Sequence, residues 1–275
     1  MTRKGLLLTA ATILAMGGTA MADTAQKRIA LSNNYAGNSW RQAMLESWKR
    51  VTDKAVADGI VAAADAFTTA ENQATEQAAQ IQNMILQGYD AIVVNAASPT
   101  ALNGAIKEAC DAGIEEGVKA HPNFKVVGSV NGDWAQDVAQ KAVAGILPSL
   151  PEIAAVVTQG GDGYGAAQAF AAAGRPMPII IMGNRQDELK WWAEQRDANG
   201  YETISTSIAP GVSTLAFWVA QQILDGAEVP KDLTVPFLSV TQDTLDQALK
   251  DTPEGGVTNV DYTLDDAKKV IAGTN

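Results

Sequence analysis

From residue 28 onward, short apolar runs alternate with longer stretches whose apolar positions recur every three or four residues. The short runs predict β-strands and the longer stretches amphipathic helices. Strands are expected at 28–33, 60–64, 91–94, 125–130, 153–158, 178–182 and 203–207, with a β-like run at 233–240. Helices are expected at 39–57, 69–86, 100–112, 135–147, 165–173, 186–198, 212–224, 244–249 and 264–271. Met44, Trp48, Val51 and Ala55 mark the buried stripe of the first helix, and Ala74, Ala78, Ile81 and Ile85 that of the second. This β-α alternation predicts an α/β fold, with a mainly parallel sheet covered by helices on both faces.

The alternation fails once. Gly113-Ile114 should open a strand, yet Glu115-Glu116-Gly117-Val118-Lys119-Ala120 continues as helix. Two helices then follow one another with no strand between them.

Ahead of the first strand the pattern differs. Arg3 and Lys4 form a basic head, 6–16 is apolar, and Ala20-Met21-Ala22 precedes Asp23. A charged head, a short apolar core and an Ala-x-Ala end mark a cleavable secretory signal. The core is shorter than the roughly 20 residues that span a bilayer. Residues 1–22 are therefore set apart from the fold, and a periplasmic destination is expected. Losing Arg3 and Lys4 takes the formal net charge from −11 to about −13. Such acidity disfavours nucleic acid, whose phosphates require basic surface. Cys110 is the only cysteine, so no intrachain disulfide can form. His121 is the only histidine, and no His/Cys cluster suits a metal; no cofactor is expected.

In open parallel sheets, ligands sit beyond the carboxyl ends of the strands. The residues there are Asn33, Asn34, Tyr35, Asn38 and Trp40 after the first strand and Asn95 after the third. Asn131, Asp133 and Trp134, then Gln159 and Asp162, then Asn184 and Arg185 follow later strands. Amides, carboxylates and Arg pair with hydroxyl groups, which donate and accept together. An indole offers a broad apolar face for the C–H side of a sugar ring. The expected ligand contacts are Asn34, Tyr35, Asn38, Trp40, Asn95, Trp134, Gln159, Asp162, Asn184 and Arg185, with no catalytic residue. Trp48 and Trp218 fall within helical periodicity and are expected in the core.

Two other chemistries are weaker fits. Gly160-Gly161-Asp162-Gly163-Tyr164-Gly165 lies between a strand and a helix, but its spacing is not G-x-G-x-x-G, and Asp162 would repel a phosphate. A nucleophilic triad would need His121, with no nucleophile-elbow motif beside it. Asp133 and Asp162 could serve as a hydrolytic carboxylate pair, so an exported sugar-active enzyme stands as the alternative to a binding protein.

Residues 32–40, 73–92, Gly132-Asp133-Trp134, 155–165 and 181–184, taken in order and spacing, resemble the ribose-type (type I) periplasmic sugar-binding proteins of ABC importers. The resemblance implies two Rossmann-like lobes closing on one sugar or polyol, a membrane permease as partner, and a monomer. It sets a signal peptide at 1–22, an N-terminal lobe at 23–114, a C-terminal lobe at 115–232, and a crossover with the C-terminal tail at 233–275. It also implies that the strand opened by Gly113-Ile114 should continue into the second lobe. About two β-α units, roughly 60 residues, are missing there.

Overall fold

The computed structural model describes residues 24–71, 73–97, 119–158 and 160–273. The signal-like segment 1–22, the helix expected at 100–112, the junction at 113–118 and Gln159 lie outside the described residues.

The first core is built on a three-stranded parallel sheet. Strands β1 (Arg28–Asn33), β2 (Ala63–Thr68) and β3 (Ala91–Asn95) are ordered β2-β1-β3, so β1 is central. Its register pairs Arg28 with Ala63 on one side and Ile29 with Ala91 on the other. Helix α1 (Ser39–Ala57) buries Met44, Trp48 and Ala55 against this sheet, the stripe that periodicity predicts. Strand β2 starts later than expected. Ile60 and Val61 plug into the core ahead of it, and the pairing with Arg28 sets its first residue at Ala63.

Helix α2 (Ala74–Leu86) lies on the sheet through Gln77 and Met84. The expected stripe of Ala74, Ala78, Ile81 and Ile85 is therefore rotated, and Ile85 is 62% exposed. A buried glutamine with backbone partners, described below, decides the seat of this helix.

The second core contains strands β4 (Ala155–Val157), β5 (Ile179–Ile181), β6 (Ser205–Ile208) and β7 (Phe237–Val240). β4 and β5 are parallel, a parallel bridge from Met182 to Ser205 joins β5 to β6, and β7 runs antiparallel to β6. β7 begins only after Pro236, a residue with no N–H to give to a ladder. Helices α3 (Gln136–Ile146), α4 (Gly163–Ala172), α5 (Gln186–Asn199) and α7 (Leu245–Asp251) belong to this part, with α3 against α4 and α5 against α7. Ile180, Met182, Leu189, Trp192 and Leu245 fill its interior.

Two helices between and after these elements return to the first core. Ala209, Leu215, Phe217 and Trp218 of the crossing and α6 (Val212–Leu224), with Ala267 and Val270 of α8 (Leu264–Ile271), are buried together with Trp48 and Met44. Trp48 and Phe217 meet edge to face at 5.7 Å, and the indole N–H of Trp218 donates to the Tyr262 carbonyl at 3.0 Å. The contiguous division at residue 232 is thus corrected by packing. α6 lies within 115–232 in sequence, but its apolar face needs α1 and β3, so it completes the first lobe.

One expected strand is not formed. Residues 125–130 are irregular, with Val126 and Val127 exposed. A strand requires a partner edge, and no hydrogen bond engages these residues among those described. Among the described residues β4 pairs on one side only, with β5, and its Val157 is 70% exposed.

Candidate functional site

The carboxyl ends of β1, β2 and β3 converge on a polar group in the first lobe. The Asn33 side chain, fully buried, donates to the Tyr35 carbonyl at 2.6 Å and to Thr68 Oγ1 at 3.3 Å. This folds the loop back over the strand ends. Asn38 caps α1, accepting the Arg41 N–H at 2.9 Å, so one of its polar atoms is committed to the helix. Trp40 is half-buried on the first turn, its indole under the Arg41 guanidinium and bonded to the Ile208 carbonyl at 3.1 Å. Asn95 is half-buried at the end of β3, its amide nitrogen 3.3 Å from the Met44 sulfur.

Gln77, which the sequence reading passes over, ties these ends together. Its amide nitrogen donates to the Ser32 carbonyl, the Ser32 hydroxyl and the Asn95 carbonyl, while its oxygen accepts from Ala97 N. One buried amide thus sets the spacing of the β1 and β3 exits. The detectable signal was a glutamine on the inward side of α2.

In the second lobe, Asp133 and Trp134 both have positive φ, 52° and 54°. Residues with a Cβ avoid that region, and such strain persists only where the surroundings enforce it. The turn is closed by the Ala135 N–H on the Gly132 carbonyl at 3.0 Å, and it leaves the Trp134 ring 53% exposed. Asp162 stands directly against this turn. A Cβ on Gly132 would lie 2.6 Å from its carboxyl group, so a larger residue there would displace the Asp162 side chain. Burial, and next the charge of Asp133, push the Asp162 carboxyl up to about 6, against the opposing effect of the Ala135 N–H. The Arg185 side chain and the Trp134 carbonyl both pack on Gly161, with contacts of 3.3 and 3.1 Å to a Cβ placed there. Trp134, Asp162 and Arg185 therefore share one loop cluster.

Asn184 departs from the expectation of a ligand contact. It is 1% exposed; its amide donates to the Leu238 carbonyl at 2.7 Å and accepts from the Ser205 hydroxyl at 2.5 Å. Both polar atoms are spent on joining the β5, β6 and β7 ends. Among the described residues, no hydrogen bond or ring contact joins the first-lobe group to the second-lobe cluster.

Four buried side-chain atoms at these exits lack a hydrogen-bond partner among the described residues: Asn33 Oδ1, Asn34 Oδ1, Thr69 Oγ1 and Asp162 Oδ1. Buried polar atoms are almost always paired, so these four, three in the first lobe and Asp162 in the second, are open to a ligand or water. Three of the four can only accept; the hydroxyl of Thr69 can also donate. No group of three or more His, Cys, Asp or Glu suited to a metal occurs among the described residues, and no described helix is long and apolar enough to cross a membrane.

A family model described as a periplasmic binding protein domain matches residues 29–115 and 113–228. The chain belongs to that family. Membership of this periplasmic binding protein family implies a location outside the cytoplasm. The two matched pieces meet at 113–115, where the β-α rhythm fails. A xylitol-binding protein from Mycolicibacterium smegmatis is 29% identical over 143 residues, covering 50% of this chain and 39% of that protein. The match thus spans well under half of that relative's length. Among solved structures, an ABC transporter solute binding protein from Thermobispora bispora is 28% identical with a TM-score of 0.70, over 90% of this chain and 95% of that one. One from Bacillus halodurans with bound myo-inositol is 18% identical with a TM-score of 0.59, over 83% of this chain and 99% of that one, and shares the fold. The type I periplasmic binding protein architecture expected from the sequence is the one observed.

Proposed function

We propose that this periplasmic binding protein captures a sugar or polyol and hands it, chemically unchanged, to the permease of an ABC importer. The observation that carries the reading is the set of orphaned buried atoms on Asn33, Asn34, Thr69 and Asp162 at the strand exits of both lobes. Hydroxyl groups donate to such acceptors and accept from Thr69 in return. Trp40 and Trp134 supply apolar faces for the C–H side of the ligand, and Arg185 supplies a fork of donors next to Asp162. Tyr35, Asn38, Asn95 and Gln159 complete the proposed contacts, while Asn184 acts as framework. The similarity to a xylitol-binding protein and to a solute binding protein of an ABC transporter supports the substrate class and the partner. The basic head, apolar core and Ala-x-Ala end of residues 1–22 support export to the periplasm. A single copy acts alone in this reading.

We further infer that the chain lacks about two β-α units near residue 114. In the first lobe the first strand lies between the second and third. By the same order in the second lobe, 125–130 and β4 would flank a central first strand. Its loss accounts together for an unformed strand at 125–130 and for the one-sided pairing of β4. Binding by this chain is accordingly weaker than by a version with those units restored.

The test is a thermal-shift screen with xylitol, myo-inositol, pentoses and hexoses, with recovery of the ligand afterwards. A saturating ligand at 100 times its dissociation constant adds about 2.7 kcal/mol. Stabilisation by a polyol or sugar recovered intact supports the reading. A shift with amino acids or nucleotides alone, or hydrolysis of an added glycoside, overturns it.

A further inference from the structure

Glu188 is fully buried at the third position of α5. Its two carboxylate oxygens serve two segments: the start of α4, and the residue that caps α5 itself, in a capping box. Oε1 accepts the N–H of Gly163 at 3.0 Å, and Oε2 accepts the N–H of Arg185 at 3.3 Å. Gly163 directly follows Asp162, so the carboxylate joins the backbone beside one proposed ligand contact to the backbone of another. The glycines around it make room for this bridge. A Cβ on Gly163 would stand 2.9 Å from Oε1, and one on Gly183 would stand 2.9 Å from Oε2 and 2.5 Å from the Gly160 Cα.

We propose that Glu188 is a positioning residue that holds the Asp162 and Arg185 loops in register, and that its protonation loosens one loop and weakens ligand capture. The proposal rests on the functional reading above and adds a pH-dependent element to the same site. An ionised carboxylate has acceptors for both N–H groups. Once protonated, one oxygen carries a hydrogen and becomes a weaker, neutral acceptor, so one of the two bridges is weakened. The charged groups facing Glu188 are few. Asp187 on the same helix turn opposes its ionisation and Arg185 favours it, while the start of α4 presents the Gly163 N–H and β5 is followed by uncharged Met182 and Gly183. Burial is the largest influence and pushes the Glu188 carboxyl up to about 7. The switch therefore lies in the range an extracytoplasmic protein meets.

The experiment follows the backbone amides of Gly163 and Arg185 and the carboxyl carbon of Glu188 by NMR, in the unliganded full chain, from about pH 5 to about pH 9. All three are expected to titrate with one shared midpoint near 7. The shared midpoint is expected to persist in Asp162→Asn and to vanish from both amides in Glu188→Gln. Separate midpoints for the two amides, or a shared titration that survives Glu188→Gln, overturn the proposal. If Glu188→Gln does not fold, the carboxyl-carbon midpoint in the unaltered chain decides: coincidence with both amides supports the bridge, divergence removes it. In a second arm, xylitol affinity is expected to fall roughly tenfold between about pH 8 and about pH 6 in the parent chain. No xylitol binding at any pH bears on the proposed function alone, because the amide titration is read without ligand.

Discussion

The indole N–H of Trp40 reaches the carbonyl of Ile208, 168 residues away in sequence and 3.1 Å away in space. Trp40 sits on the first turn of α1, and Ile208 ends β6 where the chain leaves the second core for the first. The same residue that offers a ring to a ligand therefore anchors the segment that joins the lobes. Trp40→Phe keeps a ring but leaves the Ile208 carbonyl without this donor. It is expected to lower stability by about 1 kcal/mol, the usual net worth of one hydrogen bond. Chemical denaturation checks the loss. An unchanged midpoint would place the Ile208 carbonyl in water and the anchor out of use.

The strained turn at Asp133-Trp134 gives a second expectation with opposite signs for stability and binding. Glycine adopts positive φ without penalty, so Trp134→Gly relieves backbone strain and is expected to stabilise the fold by about 1 kcal/mol. The ring is more than half exposed, so little packing is lost with it. If the indole serves as a ligand wall, the same change lowers polyol affinity by at least roughly tenfold. A variant that is both less stable and equally able to bind would remove the turn from the site.

Much of the fold was legible because its signals were local. The bounds of β1, α1, α6 and α8 follow directly from apolar periodicity and their closing residues. What failed were decisions made by distant partners. Lys125-Val126-Val127 carries strand-like residues but lacks an edge to join. α6 reads as part of the second lobe until its apolar face is seen against α1. Trp134 and Asp162 stand out in the sequence as a tryptophan and a carboxylate after expected strands, and the structure brings both to one loop cluster. Gln77, Thr69 and Glu188 do not stand out, because a buried polar group in a helix or at a strand end reads as ordinary until its backbone partners are known.

Acid-base behaviour follows from two sets of carboxyls. Glu188 and Asp162 are raised, to about 7 and about 6, chiefly by burial. A raised carboxyl gives stability that is fully present below its unfolded value and lost as pH rises through the folded one. For Glu188 that loss is on the order of 3 kcal/mol between about pH 4 and pH 8. Asp90, held down by the Arg28 N–H and the Lys27 side chain, and Asp266, held down by Thr263, act in the other direction. Their contribution is present above the usual carboxylate range and lost as pH falls. Thermal stability is therefore expected to peak near about pH 5 and to decline toward about pH 8, with Glu188→Gln flattening the decline. A melting temperature that rises steadily from pH 5 to pH 8 would contradict the burial of both groups.

A strand paired on one side only, among the described residues, makes the last expectation. There β4 pairs with β5 alone and carries Val157, 70% exposed. Unpaired apolar edges invite pairing between chains, and a lysine placed on such an edge blocks it. Val157→Lys is expected to change stability by less than about 0.5 kcal/mol, since the side chain already faces solvent. It should nonetheless raise the concentration at which light scattering detects association. Insertion of the two β-α units between residues 113 and 115 should act more strongly, because a central strand would pair with 125–130 and β4 at once. That version is expected to gain several kcal/mol from the newly covered apolar surface and to bind polyols more tightly. If the inserted units leave 125–130 as protease-sensitive as before, the second lobe does not share the strand order of the first, and the one-sided pairing of β4 has another cause.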